Sequence, residues 1–399
     1  VPGGRFRELY YWDAYFTMLG LEADDHHDLA LDMLKNFAFQ IDCYGHVPNG
    51  NRTYYISRSQ PPFFSSMVDL IAEREGERSY LTYLPELQAE YEYWMDGSTV
   101  LTPGQSYRRV VRLSDGTVLN RYWDDQAEPR DESYREDIET ARAHRENLAN
   151  LYRNIRAAAE SGWDFSSRWL ADGHNMSSIR TTSLIPVDLN CLMGHLEQTL
   201  AKAYRIAGHA ERSARFLELA NRREAAIRRL MWSEQLLMFA DYDWEKSEIV
   251  GQLTAAGLFP LFFHIATERQ AKMVAQTVRD KMLLRGGLTT TLVESGQQWD
   301  LPNGWAPLQW VSVIGLRNYD EAQLAETIAQ RWSCVTTDNY QVFRTLLEKY
   351  NLVDDRPGGG GEYPVQIGFG WTNGVLRALS LLYGDSPEQL CKRSGAKSP

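Results

Sequence analysis

The stretch DLNCLMGHLEQTLAKAYRIAG, residues 188–208, repeats apolar side chains at Leu189, Leu192, Met193, Leu196, Leu200, Ala203 and Tyr204. Spacings of three and four residues put these side chains on one face of a helix, and Gly208 stands where a C-cap belongs. HAERSARFLELANRREAAIRRLMW follows at once, at 209–232, with Phe216, Ala220, Ile227, Leu230 and Met231 in one stripe between Arg- and Glu-rich faces. The short link predicts an antiparallel helix pair. Similar texture fills HDLALDMLKNFAFQIDCYG at 27–45, AQLAETIAQRWSCV at 322–335 and TNGVLRALSLLYG at 372–384.

Strand signals are few. RRVVRLSDGTVLNRYW at 108–123 places two β-branched runs around Ser114-Asp115-Gly116 and predicts a small β-hairpin inserted into an all-α protein. No Pro-, Ser- or Gly-rich boundary splits the chain and no repeat is visible by eye, so a single domain over 1–399 is expected.

Composition narrows the function. The 399 residues carry 53 acidic and 42 basic side chains, a net charge of -11, which argues against nucleic-acid binding. The longest apolar run, AAGLFPLFFHIA at 255–266, is too short for a membrane span and is broken by Pro260. Cys43, Cys191, Cys334 and Cys391 are scattered without metal-site spacing and read as free thiols of a reducing compartment. No HExxH or other metal-ligating pattern appears, and neither a metal nor a cofactor is expected.

The loops between helices hold the chemistry. Five loop segments set a carboxylate or amide beside an aromatic: Trp12-Asp13, Trp163-Asp164, Gln298-Trp299-Asp300, Glu362-Tyr363, and Trp371 before Asn373. Aromatic faces suit the C–H side of a sugar, while carboxylates, amides and guanidinium groups suit its hydroxyls. Glycosidic cleavage needs one carboxylic acid and one carboxylate. No GxSxG, GxxxxGK[ST] or GxGxxG motif competes, so the glycines of RPGGGGEYPVQIGFGW, 356–371, are not a phosphate cradle. Asp13, Glu132, Asp164, Asp300, Glu348 and Glu362 are the candidate acids, and the residues alone leave them unranked.

PGGRFRELYYWDAYF at 2–16 and QWDLPNGWAP at 298–307 resemble the two signature stretches of the α,α-trehalase family, and ESGWDFSSRW at 160–169 and GGGGEYPVQIGFGWTNG at 358–374 resemble further family motifs. The resemblance implies an (α/α)6 toroid that hydrolyses trehalose to two glucoses with inversion. It implies Asp164 as general acid and Glu348, in LLEKYNLV, as the base. It further implies substrate contacts by Arg5, Trp12, Asp13, Asn49, Arg58, Ser59, Gln60, Arg130, Glu132, Gly162 and Glu362. Phe6, Tyr10, Trp299, Trp305 and Trp371 are added as pocket walls.

PRDESY at 129–134 departs from the family's usual Arg-Pro-Glu by Asp131, between the two contact residues. Val1 falls directly on the first signature, so the expected toroid lacks its first helix or helices. Glu348 reads as part of a helix-like segment, and Asp300 as either catalytic or a turn cap. Asp164 is expected to titrate above the usual value of about 3.9. Inversion requires the two carboxyls to stand about 6.5–9.5 Å apart. Asp13 and Glu132 are expected to stabilise the positive transition state as carboxylates. The expected location is the cytoplasm, with the periplasm as the alternative, and the chain is expected to be monomeric. Another inverting toroid glycosidase, a disaccharide phosphorylase and an inactive sugar-binding module are the competing readings.

Overall fold

The computed structural model describes residues 1–144 and 147–393. Its helices in chain order are α1 (Tyr11–Ala23), α2 (His27–Tyr44), α3 (Phe64–Glu75), α4 (Arg78–Thr82), α5 (Leu84–Trp94), α6 (Tyr134–Arg142), α7 (Leu148–Glu160) and α8 (Val187–Ile206). They continue with α9 (Ala210–Leu230), α10 (Phe259–Phe262), α11 (Glu268–Thr277), α12 (Ala306–Arg317), α13 (Ala322–Phe343), α14 (Gly370–Tyr383) and α15 (Pro387–Arg393).

Helices α1, α3, α8, α10, α12 and α14 touch in that order, and α14 returns to α1. Outside them α2 packs on α1 and α3, α5 on α2 and α8, α9 on α8, and α13 on α12. The result is the expected (α/α)6 toroid, an inner ring of apolar helices backed by amphipathic ones. The difference shows in burial: α8 hides nearly every side chain from Val187 to Leu200, whereas α9 hides Phe216, Ala220, Arg223, Ala226 and Ile227 and leaves its Arg and Glu faces to solvent. The ring closes where Gly374 of α14 meets α1, because a Cβ there would stand 2.1 Å from the Phe16 carbonyl oxygen.

The predicted hairpin is present. Val110–Arg112 pairs antiparallel with Val118–Asn120, and a third strand, Gln105–Tyr107, joins the outer edge. A second small sheet decides the site: Asn303–Gly304 pairs with Tyr350–Asn351, which pairs in turn with Arg356–Pro357. It holds the QWDLPNGW loop, the EKY segment and the start of the glycine run side by side.

Two expectations need correction. Glu348 is not helical: α13 ends at Phe343, Arg344 takes a left-handed conformation (φ 55°), and Leu347 bridges Ile367. The LLEKY segment is therefore extended, which turns Glu348 inward. Of the four cysteines, Cys334 of α13 and Cys391 of α15 form a disulfide, while Cys43 and Cys191 are free thiols. Sequence distance hid the pair, since 57 residues separate partners that two packed helices bring together. Among the described residues no helix is long and apolar enough to cross a membrane.

Candidate active site

Asp164 and Glu348 open onto the same cavity, of about 320 Å³, although they are 184 positions apart in the chain. Asp164 hangs from the loop after α7, and Glu348 from the extended segment before Tyr350. Every catalytic, substrate-contact and wall residue named from the sequence lines this cavity except Ser59, and of the remaining candidate acids Asp300 does not line it. Ser59 is wholly buried; its N–H donates to Glu160 (2.8 Å) and its hydroxyl to the Val47 carbonyl (2.6 Å). It fixes the loop that carries Arg58 and Gln60 rather than facing the cavity.

Stacked indoles make one wall. Trp299 lies parallel to Trp305 at 3.9 Å and against Trp163 at 5.4 Å, while Trp12 and Trp371 meet Trp299 at 5.6 and 6.2 Å. Their polar edges are satisfied from behind: the Trp305 indole N–H donates to the Gln298 carbonyl and that of Trp371 to the Glu348 carbonyl. These rings are core residues and cavity walls at once. Gly162 lies so close to the Trp12 indole that a Cβ would stand 2.8 Å from it.

Charged side chains make the other wall. The Arg58 Nε donates to Asn49 at 2.6 Å, and its other nitrogens reach Asp124 and Glu132. Arg130 is clamped by Asp137 and donates to Glu362 at 2.7 Å, where the Ser133 hydroxyl also donates at 3.1 Å. Pairing with carboxylates and amides holds both guanidinium groups in fixed orientations at the cavity. Gln60 accepts the N–H groups of Tyr11 and Trp12, capping α1 and fixing the Trp12-Asp13 pair.

The glycine run is explained by its neighbour. Gly360 has φ +78° and passes so close to Gly296 that a Cβ would stand 2.5 Å from that carbonyl oxygen. The next residue, Gly361, donates its N–H to the same oxygen at 3.1 Å. Asn303 pins the run from the other side, accepting from the Gly359 N–H and donating to its carbonyl. The loop is thus laid on the QWDLPNGW segment, and Glu362 and Tyr363 emerge over the cavity.

The carboxyls differ in charge. Burial pushes Asp164 up to about 7, with Glu362 adding to the shift and Arg130 opposing it. Burial likewise pushes Asp13 up to about 8, reinforced by Glu348 and Asp164 and opposed by a backbone hydrogen bond. Burial raises Glu348 too, against the pull of Lys349, the Tyr363 hydroxyl and the Gln366 N–H. Glu132 goes the other way: burial opposes the shift, but Arg58 and Arg130 hold it below its usual range. Burial thus favours the neutral form of the Asp13 carboxyl, whereas Arg58 and Arg130 favour the charged form of Glu132, so of the two only Glu132 has surroundings that suit the expected carboxylate.

Asp300 is structural. It is fully buried and accepts from the hydroxyls of Ser166, Ser167, Thr291 and Ser295 and from the Ser167 N–H, tying the 160–169 segment to the loop that leads into 298–307. Sequence reasoning missed Glu8, Tyr54, Tyr55, Ser133, Glu136, Ala159, Tyr363 and Phe369 as cavity residues. Tyr363 was legible as the aromatic of the Glu362-Tyr363 segment, whereas Phe369, though inside the 358–374 motif, has glycines on both sides and no carboxylate or amide beside it. The fold also assembles Ser65, His195 and Asp69, with contacts of 2.9 and 2.8 Å, at the far end of the inner ring. Ser65 is wholly buried, so no substrate carbonyl reaches its hydroxyl.

The sequence profile of the family described as Trehalase matches residues 1–384. The chain belongs to the trehalase family. It is similar to a trehalase-family protein of Escherichia coli O8 (strain IAI1) called periplasmic trehalase, 51% identical over 402 residues, covering 100% of this chain and 71% of that one. The periplasmic trehalase of Xanthomonas axonopodis pv. citri (strain 306) is 55% identical over 385 residues, covering 96% of this chain and 67% of its own length. Among solved structures, the neutral trehalase of Saccharomyces cerevisiae superposes with a TM-score of 0.74 at 25% identity, covering 98% of this chain and 76% of that one. A mannosylglycerate hydrolase of Thermus thermophilus, solved with glucose, shares the fold with a TM-score of 0.64 at 18% identity, covering 96% of this chain and 95% of that one.

Proposed function

We propose that this chain hydrolyses α,α-trehalose to two molecules of glucose with inversion at one anomeric carbon. The observation that carries the reading is the pair of buried carboxyls on one cavity, of which Glu348 alone has a cation and a phenol within hydrogen-bond reach. Asp164 is pushed up to about 7, so near neutral pH it holds a proton for the leaving sugar. Glu348 has an ammonium at 3.2 Å and a phenol hydroxyl at 2.9 Å, both of which favour its carboxylate. The first is the general acid; the second takes a proton from the attacking water.

The leaving group of trehalose is itself a sugar, so its oxygen must be protonated as the C–O bond breaks. Asp164 supplies that proton and ends as a carboxylate. Water, deprotonated by Glu348, bonds to the anomeric carbon from the opposite face, and its proton ends on Glu348. Glu132, held ionised beside Arg58, stabilises the positive charge that develops on the ring. Arg5, Asn49, Arg58, Gln60, Arg130 and Glu362 hold hydroxyls, and the indole wall takes the C–H faces. The cavity volume lies in the range of about 300–1,000 Å³ usual for small-molecule sites.

The location that fits the Cys334–Cys391 disulfide is an oxidising compartment. The names of the bacterial relatives agree with the periplasm rather than the cytoplasm.

Proton NMR of the first products from trehalose tests the chemistry. Equal early β-glucose and α-glucose is expected from the parent protein, and neither from Asp164→Asn or Glu348→Gln. α-Glucose alone at early times would mean retention, and an active Glu348→Gln would remove the base.

A further inference from the structure

Behind the indole wall lies the cation that stands beside Glu348. Lys349 is wholly buried, and its ammonium donates to Gln298 Oε1 at 2.6 Å and to Glu348 Oε2 at 3.2 Å. It stands 5.1 Å from the Trp305 ring centroid and 4.9 Å from that of Tyr363, an aromatic box that replaces part of its lost hydration. The Tyr363 hydroxyl donates to the other carboxylate oxygen of Glu348 at 2.9 Å, and the Gln366 N–H reaches Oε2 at 3.4 Å.

Gln298 completes the arrangement. The carboxamide that accepts from Lys349 donates from its nitrogen to the Tyr363 hydroxyl at 3.2 Å and to the main-chain carbonyl of Asp164 at 2.5 Å. One side chain therefore links the supports of Glu348 to the backbone that carries the acid.

We propose that Lys349 and Tyr363 are positioning residues that keep the Glu348 carboxylate ionised and aimed at the cavity, and that Gln298 fixes this assembly at a set distance from Asp164. The proposal rests on the reading of Glu348 as the base. The titratable groups facing Glu348 are Lys349 and Tyr363 beside it, Asp13 of α1, and Asp164 across the cavity. Burial favours its protonated form, which cannot accept a proton from water, and the ammonium, the phenol and the Gln366 N–H oppose it. An opposite charge at this range moves a carboxyl by about 1–3 pH units. Removing Lys349 therefore raises the pH at which the base becomes competent.

The same cluster explains a feature of the sequence. A Lys after a Glu in a helix-like run reads as a solvated pair, yet here both side chains are turned into the core by the strand pairing of Tyr350 with Gly304 and Pro357. Gln298 and Trp305, from the 298–307 signature stretch, touch Lys349 of the LLEKY segment, so the two segments form one base-supporting unit.

The test is the pH dependence of kcat/KM on trehalose for the parent, Lys349→Met, Tyr363→Phe and Gln298→Ala, with Glu348→Gln as control. The acidic limb is expected to move up by about one unit or more in Lys349→Met and by less in Tyr363→Phe, with KM near the parent's. One unit corresponds to a tenfold loss of rate at acidic pH. Gln298→Ala is expected to lower kcat across the profile. A uniform loss in both Lys349→Met and Tyr363→Phe with the limb unmoved would overturn the proposal and leave Glu348 as the base if Glu348→Gln is dead. A Glu348→Gln variant with the parent's profile would instead remove the underlying reading. Should Lys349→Met not fold, Tyr363→Phe, which loses one hydroxyl, decides the matter by the same limb.

Discussion

Arg130 Nη2 donates to Glu362 Oε1 at 2.7 Å while its Nε and Nη2 also grip the Asp137 carboxylate, so one buried guanidinium joins α6 to the glycine loop. Glu362 is the partly exposed end of that chain, and Asp137 the buried one. This asymmetry separates two substitutions. Glu362→Gln keeps the shape of the side chain and is expected to raise KM about tenfold or more with a well-folded protein. Arg130→Ala leaves Asp137 charged and unpaired and is expected to cost about 3–5 kcal/mol of stability. Steady-state kinetics and urea melts check both.

Asp164 gives the pH dependence its sign on the alkaline side. A general acid works only while protonated, and burial pushes this carboxyl up to about 7 from its ordinary value of 3.8. Activity should therefore hold below neutral pH, as far down as Glu348 stays ionised, and fall as pH rises through about 7. Asp164→Asn should abolish that limb together with about 10²–10⁴-fold of kcat. A pH–rate profile flat from 6 to 9 in the parent protein would contradict the assignment.

Much of this was legible in the residues. The apolar stripes at 189–204 and 216–231 marked two adjoining helices, and Ser114-Asp115-Gly116 marked the hairpin, because period and turn chemistry are local. The cavity residues came from signature stretches, and all but Ser59 face the cavity. What failed was non-local. The orientation of Glu348 depends on a strand pairing across about fifty residues, from Gly304 to Tyr350, that no helical period reveals. The Cys334–Cys391 bond depends on how α15 folds back on α13. The charge state of Asp13 depends on burial and on two carboxyls brought from distant loops.

Asp300 offers a contrast between holding a site and acting in it. Its carboxylate collects four hydroxyls and an N–H from two loops, and it is absent from the cavity lining. Asp300→Ala strands those donors in the core, each at about 1–3 kcal/mol if no water replaces the partner. The expected outcome is a strong fall in Tm. Asp300→Asn, which keeps the volume and one acceptor oxygen, should fold at lower temperature and retain most of the parent's kcat. A folded Asp300→Asn protein with kcat reduced a thousandfold would return this residue to the chemistry.

The disulfide allows a prediction that leaves the cavity untouched. Cys334 sits in α13, in the outer layer, and Cys391 in α15, which packs on α13 and α14. Closing a loop of 57 residues restricts the unfolded chain by about 4 kcal/mol in the chain-entropy model. Reduction removes that restriction without moving Asp164 or Glu348, neither of which contacts the pair. Incubation with dithiothreitol should therefore lower Tm by several degrees while activity at 25 °C stays near the oxidised level, and Cys334→Ser should reproduce the shift and abolish its response to reductant. Loss of activity in step with reduction at 25 °C would mean that α15 supports the site itself.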